Sequence, residues 1–181
     1  MLDAAGVRYA AVPAHLDERA LEAGLAAAAA GDIALALAGA KAASVSRDHP
    51  GALVLGSDSL VEVDGRRFDK PASRDEAADH LRYFSGRTMQ LHSAAALVRD
   101  SETVWSHAAL ARLAVRPLTE AFIADYLDHE WPAVAGCVGV FRIEARGVQL
   151  FKMIEGDHFT VLGMPLLPVL HALRDFGKLA S

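Results

Sequence analysis

Cysteine is almost missing from this 181-residue chain. Cys137 stands alone, which excludes a disulfide framework and a cysteine-based zinc finger. Long apolar runs are missing as well: the alanine-rich stretch Leu25 to Ala30 falls far short of the roughly 20 residues that span a bilayer, so no membrane segment is expected. There is no excess of positive charge. The formal net charge is −5, and non-specific nucleic-acid binding needs lysine and arginine to neutralise phosphates, so no nucleic-acid surface is expected, whereas a small anion needs only a local cationic cluster. The amino terminus lacks a basic stretch followed by an apolar one, so it reads as no signal peptide and a cytoplasmic protein is the default. The Gly-x-x-x-x-Gly-Lys phosphate loop, the His-Glu-x-x-His zinc signature and the Gly-x-Ser-x-Gly elbow are all absent, which argues against Walker-type ATPase, zinc peptidase and serine hydrolase chemistry.

What is present describes one globular domain, with 52% hydrophobic and 23% charged residues. Val7 to Val12 reads as a short strand closed by Pro13, and Arg19 to Ala30 as a helix ended by Gly31. Asp32 is placed to cap a second helix from Ile33 to about Arg47. Ala52 to Leu55 reads as a buried strand, and Leu60 to Val63 pairs with Arg66 to Phe68 across Asp64-Gly65, a strong hairpin signal. Ser73 with Glu76 is a capping box for a helix to about Phe84. Met89 to Val98 and Val104 to Val115 suit an antiparallel pair. A helix follows through Leu127, then strands Val138 to Ile143 and Val148 to Ile154, and a closing helix from Leu166 to Phe176. The class is α/β, with helices and strands alternating before a mainly β section.

Several residues have the types and placements that carry chemistry. Asp58 follows the apolar run that ends at Leu55, so it either caps a turn or stands at the carboxyl end of a strand, where ligands collect in open α/β sheets. Lys41 lies on the apolar stripe of Ile33, Leu37 and Val45, and a lysine there either snorkels to solvent or meets a buried anion. Lys70 precedes Pro71, which restricts its backbone to extended geometry, so it is either a solvated loop residue or a fixed positive charge. Asp17, Glu18 and Glu144 are ordinary surface acids taken singly; with Asp58 they have the oxygen ligands that a hard divalent cation prefers. Cys137, among apolar neighbours, reads as a small core residue.

Taken in order, several blocks resemble the Maf family of nucleoside triphosphate pyrophosphatases. They are Asp17-Glu18, Ala40-Lys41-Ala42, Gly56-Ser57-Asp58, Asp64-Gly65 through Lys70-Pro71, Ser85-Gly86-Arg87, and Glu155 through Leu166. The resemblance implies a mixed twisted sheet flanked by helices, in two lobes with a central cleft. It implies hydrolysis of nucleoside triphosphates to monophosphate and pyrophosphate with a divalent metal, Mg²⁺ or Mn²⁺, and a homodimer. By the same resemblance Asp58 is the catalytic proton acceptor and, with Glu18, a metal ligand. Lys41 and Lys70 line the cleft, and Ser59 and Glu144 occupy positions associated with base selectivity. Glu144 and the Gly56-Ser57-Asp58 segment look more like the branch acting on 7-methyl-GTP, since a carboxylate suits a methylated, cationic purine.

The chain departs from the family pattern at its start. The usual first strand and its Ser-x-Ser-x-Arg-Arg phosphate-holding turn are not in the sequence, and Leu2 to Val7 looks like the middle of the usual first helix and its exit. The expectation is a single domain over 1–181 whose given start lies downstream of the natural one. The alternative is a non-catalytic nucleotide-binding or cell-division-associated interaction protein that has lost this turn.

Overall fold

Successive side chains of a strand point to opposite faces, and the small residues of one long strand use this to carry a helix on each side. In β3 (Thr88–Arg99) Ala94 and Ala96 pack with Ile33 and Leu37, while Ala95 and Leu97 pack with Val169 and Leu173. The first pair lies under α2 (Ala30–Ser46), the second under the last helix, Leu166–Asp175. The computed structural model describes residues 1–25 and 27–180.

Around β3 the strands β1 (Val54–Val63), β2 (Arg66–Phe68), β4 (Glu102–Val115) and β5 (Phe151–Glu155) form a sheet in the order β2-β1-β3-β4-β5. The architecture is α/β with helices flanking an open sheet, as expected. Every pairing is antiparallel, so the sheet is not mixed. A second apolar cluster occupies the other end, where Val61, Val63, Leu91 and Leu113 meet α3 (Arg74–Phe84) and α4 (Glu120–Glu130). Adjacent residues of β1 serve opposite faces: Leu60 joins the cluster under α2, and Val61 joins the cluster under α3 and α4. β2 pairs only with Val61 to Val63, so the outer edge of β1 from Val54 to Leu60 has no strand beside it among the described residues.

Several expected elements differ. Ala52 to Leu55 and Leu60 to Val63 belong to one continuous strand, because Gly56 to Ser59 pair residue by residue with Ala96 to Ser93, and the ladder overrides the turn propensity of Gly-Ser-Asp-Ser. Asp58 therefore stands in mid-strand opposite Ala94, not at a strand end. The first helix, α1 (Glu18–Gly24), stops before Ala30, at the residue type with the poorest helix propensity after proline; Ala26 lies outside the described residues. Asp32 is within the first turn of α2 rather than at its cap. Val7 to Val12 pairs with no strand among the described residues, and Tyr9 and Val12 are exposed. Val138 to Ile143 is irregular because Val140 has φ +55°, which no extended strand accommodates. Of Val148 to Ile154 only the part from Phe151 onward is strand, after a 3-10 turn over Arg146–Leu150. Among the described residues no helix is long and apolar enough to cross a membrane.

Candidate active site

The site begins with the distance between α2 and β1. Ala34, Ala38 and Ala42 recur every four residues and are buried on the helix face toward the sheet. At Gly56 the approach is so close that a Cβ would lie 2.2 Å from the carbonyl oxygen of Ala38 and 2.9 Å from the Ala42 nitrogen. The neighbouring helical residue, Lys41, is thereby carried to the strand. Its Nζ donates to Oδ1 of Asp58 at 2.5 Å and lies 3.0 Å from Oε2 of Glu18. Lys41 thus meets a buried anion and does not snorkel. Side-chain exposure is 10% for Asp58, 22% for Lys41 and 47% for Glu18.

Asp17 and Glu18 divide their work. Asp17 caps α1, accepting a hydrogen bond from the Ala20 N–H at 3.0 Å, and this fixes the first turn from which Glu18 reaches Lys41. Burial pushes the Asp58 carboxyl above the usual carboxylate range; the Lys41 hydrogen bond and charge oppose this, Glu18 adds to it, and Lys70 pulls it down. For Lys41 burial acts to lower the ammonium, but Asp58 and Glu18 together outweigh it and hold its pKa above the ordinary lysine value. An ammonium between two carboxylates is stabilised by both, whereas the more deeply buried acid has one cation in contact.

Lys70, in the extended segment between β2 and Pro71, is exposed and lines the same cavity. That cavity, about 780 Å³, is also lined by Glu18, Lys41, Asp58 and Ser59, and its size is in the range of small-molecule sites. Glu144 lies on the wall formed by the irregular segment after α4, in a turn rather than at a strand end. All six predicted site residues therefore border one cavity. Ser59 points to the opposite face of β1 from Asp58: its hydroxyl donates to the Gly163 carbonyl at 2.8 Å and lies 3.0 Å from the Ser93 hydroxyl, which donates to the Thr160 carbonyl at 2.8 Å. Gly163 adopts φ +101°, a conformation side chains resist, and so presents that carbonyl to the strand. The segment from Glu155 to Leu166 thus buttresses the cleft, with Asp157 capping α5 (His158–Val161).

Sequence reasoning missed part of the wall. Cys137, expected in the core, is half-buried and lines the cavity, with its thiol pushed up by burial and by Glu144. Arg142 lines the cavity too, held by Glu130. One signal was available: Glu130 completes the i, i+3, i+4, i+7 face begun by Ile123, Tyr126 and Leu127, a core position.

The capacity of the site for a metal depends on its donors. Among the described residues no group of three or more His, Cys, Asp or Glu side chains converges to hold an ion. The two carboxylates on Lys41 fit a magnesium-type cation, which takes one or two protein carboxylates and completes its shell with water and phosphate oxygens.

Comparison with known proteins covers almost the whole chain. A protein of Rhodopseudomonas palustris named nucleoside triphosphate pyrophosphatase is 49% identical over 97% of this chain and 87% of its own length. Proteins named 7-methyl-GTP pyrophosphatase from Rhizobium etli and Mesorhizobium japonicum are 46% and 47% identical, each over 99% of this chain and 91% of their own length. The family model described as Maf-like protein matches residues 1–176. With so much of the molecule matched, the chain belongs to the Maf-like protein family.

Proposed function

We propose that this chain hydrolyses nucleoside triphosphates to the monophosphate and pyrophosphate, with Asp58 as the proton acceptor. The observation that carries the reading is the Glu18–Lys41–Asp58 cluster at the edge of a nucleotide-sized cavity; the names of the relatives supply the substrate class. Water adds to phosphorus, the α–β phosphoanhydride bond breaks, pyrophosphate departs, and the proton of the water passes to Asp58. A raised carboxyl pKa makes Asp58 a better base once ionised. Lys41 has three N–H donors and spends two on Glu18 and Asp58, leaving one for a phosphate oxygen. Lys70 adds charge along the same wall. Lysines placed where negative charge grows stabilise the departing pyrophosphate.

Glu18 and Asp58 would hold the divalent cation, Mg²⁺ or Mn²⁺. When bound, it supplies charge neutralisation and polarisation of the phosphoryl group. Glu144, exposed on the cavity wall, accepts hydrogen bonds from the Watson–Crick edge of a guanine-type base, and Ser59 stiffens β1 through its hydroxyl contacts with Gly163 and Ser93. The homodimer and the cytoplasmic setting belong to the same proposal.

Incubating the chain with a panel of nucleoside triphosphates, 7-methyl-GTP included, and Mg²⁺ or Mn²⁺ is expected to release pyrophosphate. Release of orthophosphate alone would assign the chemistry elsewhere, and saturable binding without turnover would favour the non-catalytic alternative. The pH dependence has a defined sign. Asp58 acts ionised, so kcat/KM falls as pH drops through its raised pKa. Lys41→Met removes the group that most lowers that pKa, and the acid limb should move to higher pH. A limb that stays in place or moves to lower pH would show that another group titrates.

A further inference from the structure

Lys41 holds a place that a divalent cation also needs. Its Nζ lies 2.5 Å from Oδ1 of Asp58 and 3.0 Å from Oε2 of Glu18, so two carboxylates from different elements converge on a single positive charge. No other lysine among the described residues is paired with a carboxylate. The proposed reaction assigns the same two acids to a metal ion, and two cations that share the same oxygens repel each other. One of them must give way.

The surroundings decide which part of Lys41 can move. Its backbone is held, because Ala38 and Ala42 beside it are buried where α2 meets Gly56, at a spacing that leaves no room for a Cβ on the strand. The side chain is less confined. It lines the cavity, is partly exposed, and carries a compact, strongly hydrated charge on a flexible four-carbon stem. Leaving the acids therefore takes rotations within one side chain and no movement of α2.

The pairing also has a use while it lasts. Two carboxylates held together repel, and the ammonium between them relieves that repulsion. A magnesium-type ion that takes only one or two protein carboxylates relies on phosphate oxygens and water for the rest of its shell. With Lys41 already in contact, the acids have little affinity to offer such an ion before the phosphates arrive.

We propose that Lys41 is a displaceable counter-ion, which occupies the Glu18–Asp58 pair until a divalent cation takes its place and then turns all three of its N–H donors to the triphosphate. The inference rests on the cation site of the proposed reaction. Metal alone must expel the ammonium with no acceptor to receive it, whereas bound triphosphate receives it through charge-assisted hydrogen bonds. Lys41 thereby makes metal and triphosphate bind cooperatively, each raising the affinity for the other by the same factor.

The test reads cation binding to the full chain without nucleotide, by Mn²⁺ titration with electron paramagnetic resonance of the free ion, at about pH 8, where carboxylates are ionised and lysine is charged. Lys41→Met should bind Mn²⁺ at least about tenfold more tightly than the parent. Lys70→Met removes a charge from the same cavity without releasing either acid, so its affinity should change by less than about threefold. A second measurement follows the exchange itself, by mass spectrometry of the parent after reductive methylation. Saturating Mg²⁺ should raise modification of Lys41 several-fold, while the exposed Lys152 and Lys178 keep theirs. Mn²⁺ binding no tighter in Lys41→Met, a gain matched by Lys70→Met, or Lys41 reactivity that Mg²⁺ leaves unchanged overturns the inference. Any of these in a chain that releases pyrophosphate leaves the hydrolytic reading standing. Tighter Mn²⁺ binding in Lys41→Met, from a parent that releases none, upholds the exchange and counts against hydrolysis alone.

Discussion

Gly56→Ala is expected to lower the melting temperature by roughly 5–10 °C and to remove most of the hydrolytic activity with it. The added carbon would meet the Ala38 carbonyl oxygen at 2.2 Å and the Ala42 nitrogen at 2.9 Å, main-chain atoms of a packed helix that cannot swing aside. α2 must then lift from β1, and Lys41, next to Ala42, is drawn away from Asp58. Overpacking of this kind costs about 1–3 kcal/mol, occasionally more. Gly39→Ala is the contrasting variant. It lies in the same helix with nothing nearer than Thr103 Oγ1 at 3.9 Å, so it should gain up to about 1 kcal/mol from helix propensity. Thermal melts of both, with pyrophosphate release, check the pair. A Gly56→Ala protein that melts and works like its parent would show that the helix–strand spacing does not set the site.

The second large effect concerns chemistry rather than packing. Asp58→Asn should reduce kcat by about 10²–10⁴, the range that a positioned general base contributes. Asparagine has the same shape and removes an ion that burial already disfavours, so the melting temperature should stay within a few degrees. Nucleotide affinity measured without metal should survive, because Lys41 and Lys70 remain on the cavity wall. Rates are to be compared under saturating nucleotide and Mg²⁺. Residual turnover above about a tenth of the parent rate would mean that another group takes the proton.

The elements that sequence located best carry their instructions locally. Ser73 accepts from the Glu76 N–H and opens α3 as the capping box requires, and Asp64-Gly65 adopts positive φ at both residues of the hairpin turn. The candidate site was legible because odd residue types stood out against their surroundings: a lysine on an apolar stripe, an acid amid small residues, a lysine before proline. Their convergence on one cavity was legible only through the family resemblance and not from spacing, since it depends on β1 running unbroken through Gly56 to Ser59 and on the alanine face of α2, both set by packing against β3. The wall from Gly136 to Glu144 was hidden for a related reason. Its conformation is dictated by two α4 side chains, Tyr126 and Glu130, and its valines and isoleucine favour a strand that Val140 does not allow.

The bare flank of β1 has a bearing on what sort of molecule the groove accommodates. Alternate peptide groups from Ser57 to Leu60 point away from β3 with no strand to receive them among the described residues, and those same residues line the cavity. Such groups keep water bound, and an incoming compound that displaces this hydration without replacing its hydrogen bonds loses affinity. An inhibitor scaffold for this groove should therefore be edged with amides or hydroxyls along that side, and a purely hydrocarbon one would leave the solvent where it is.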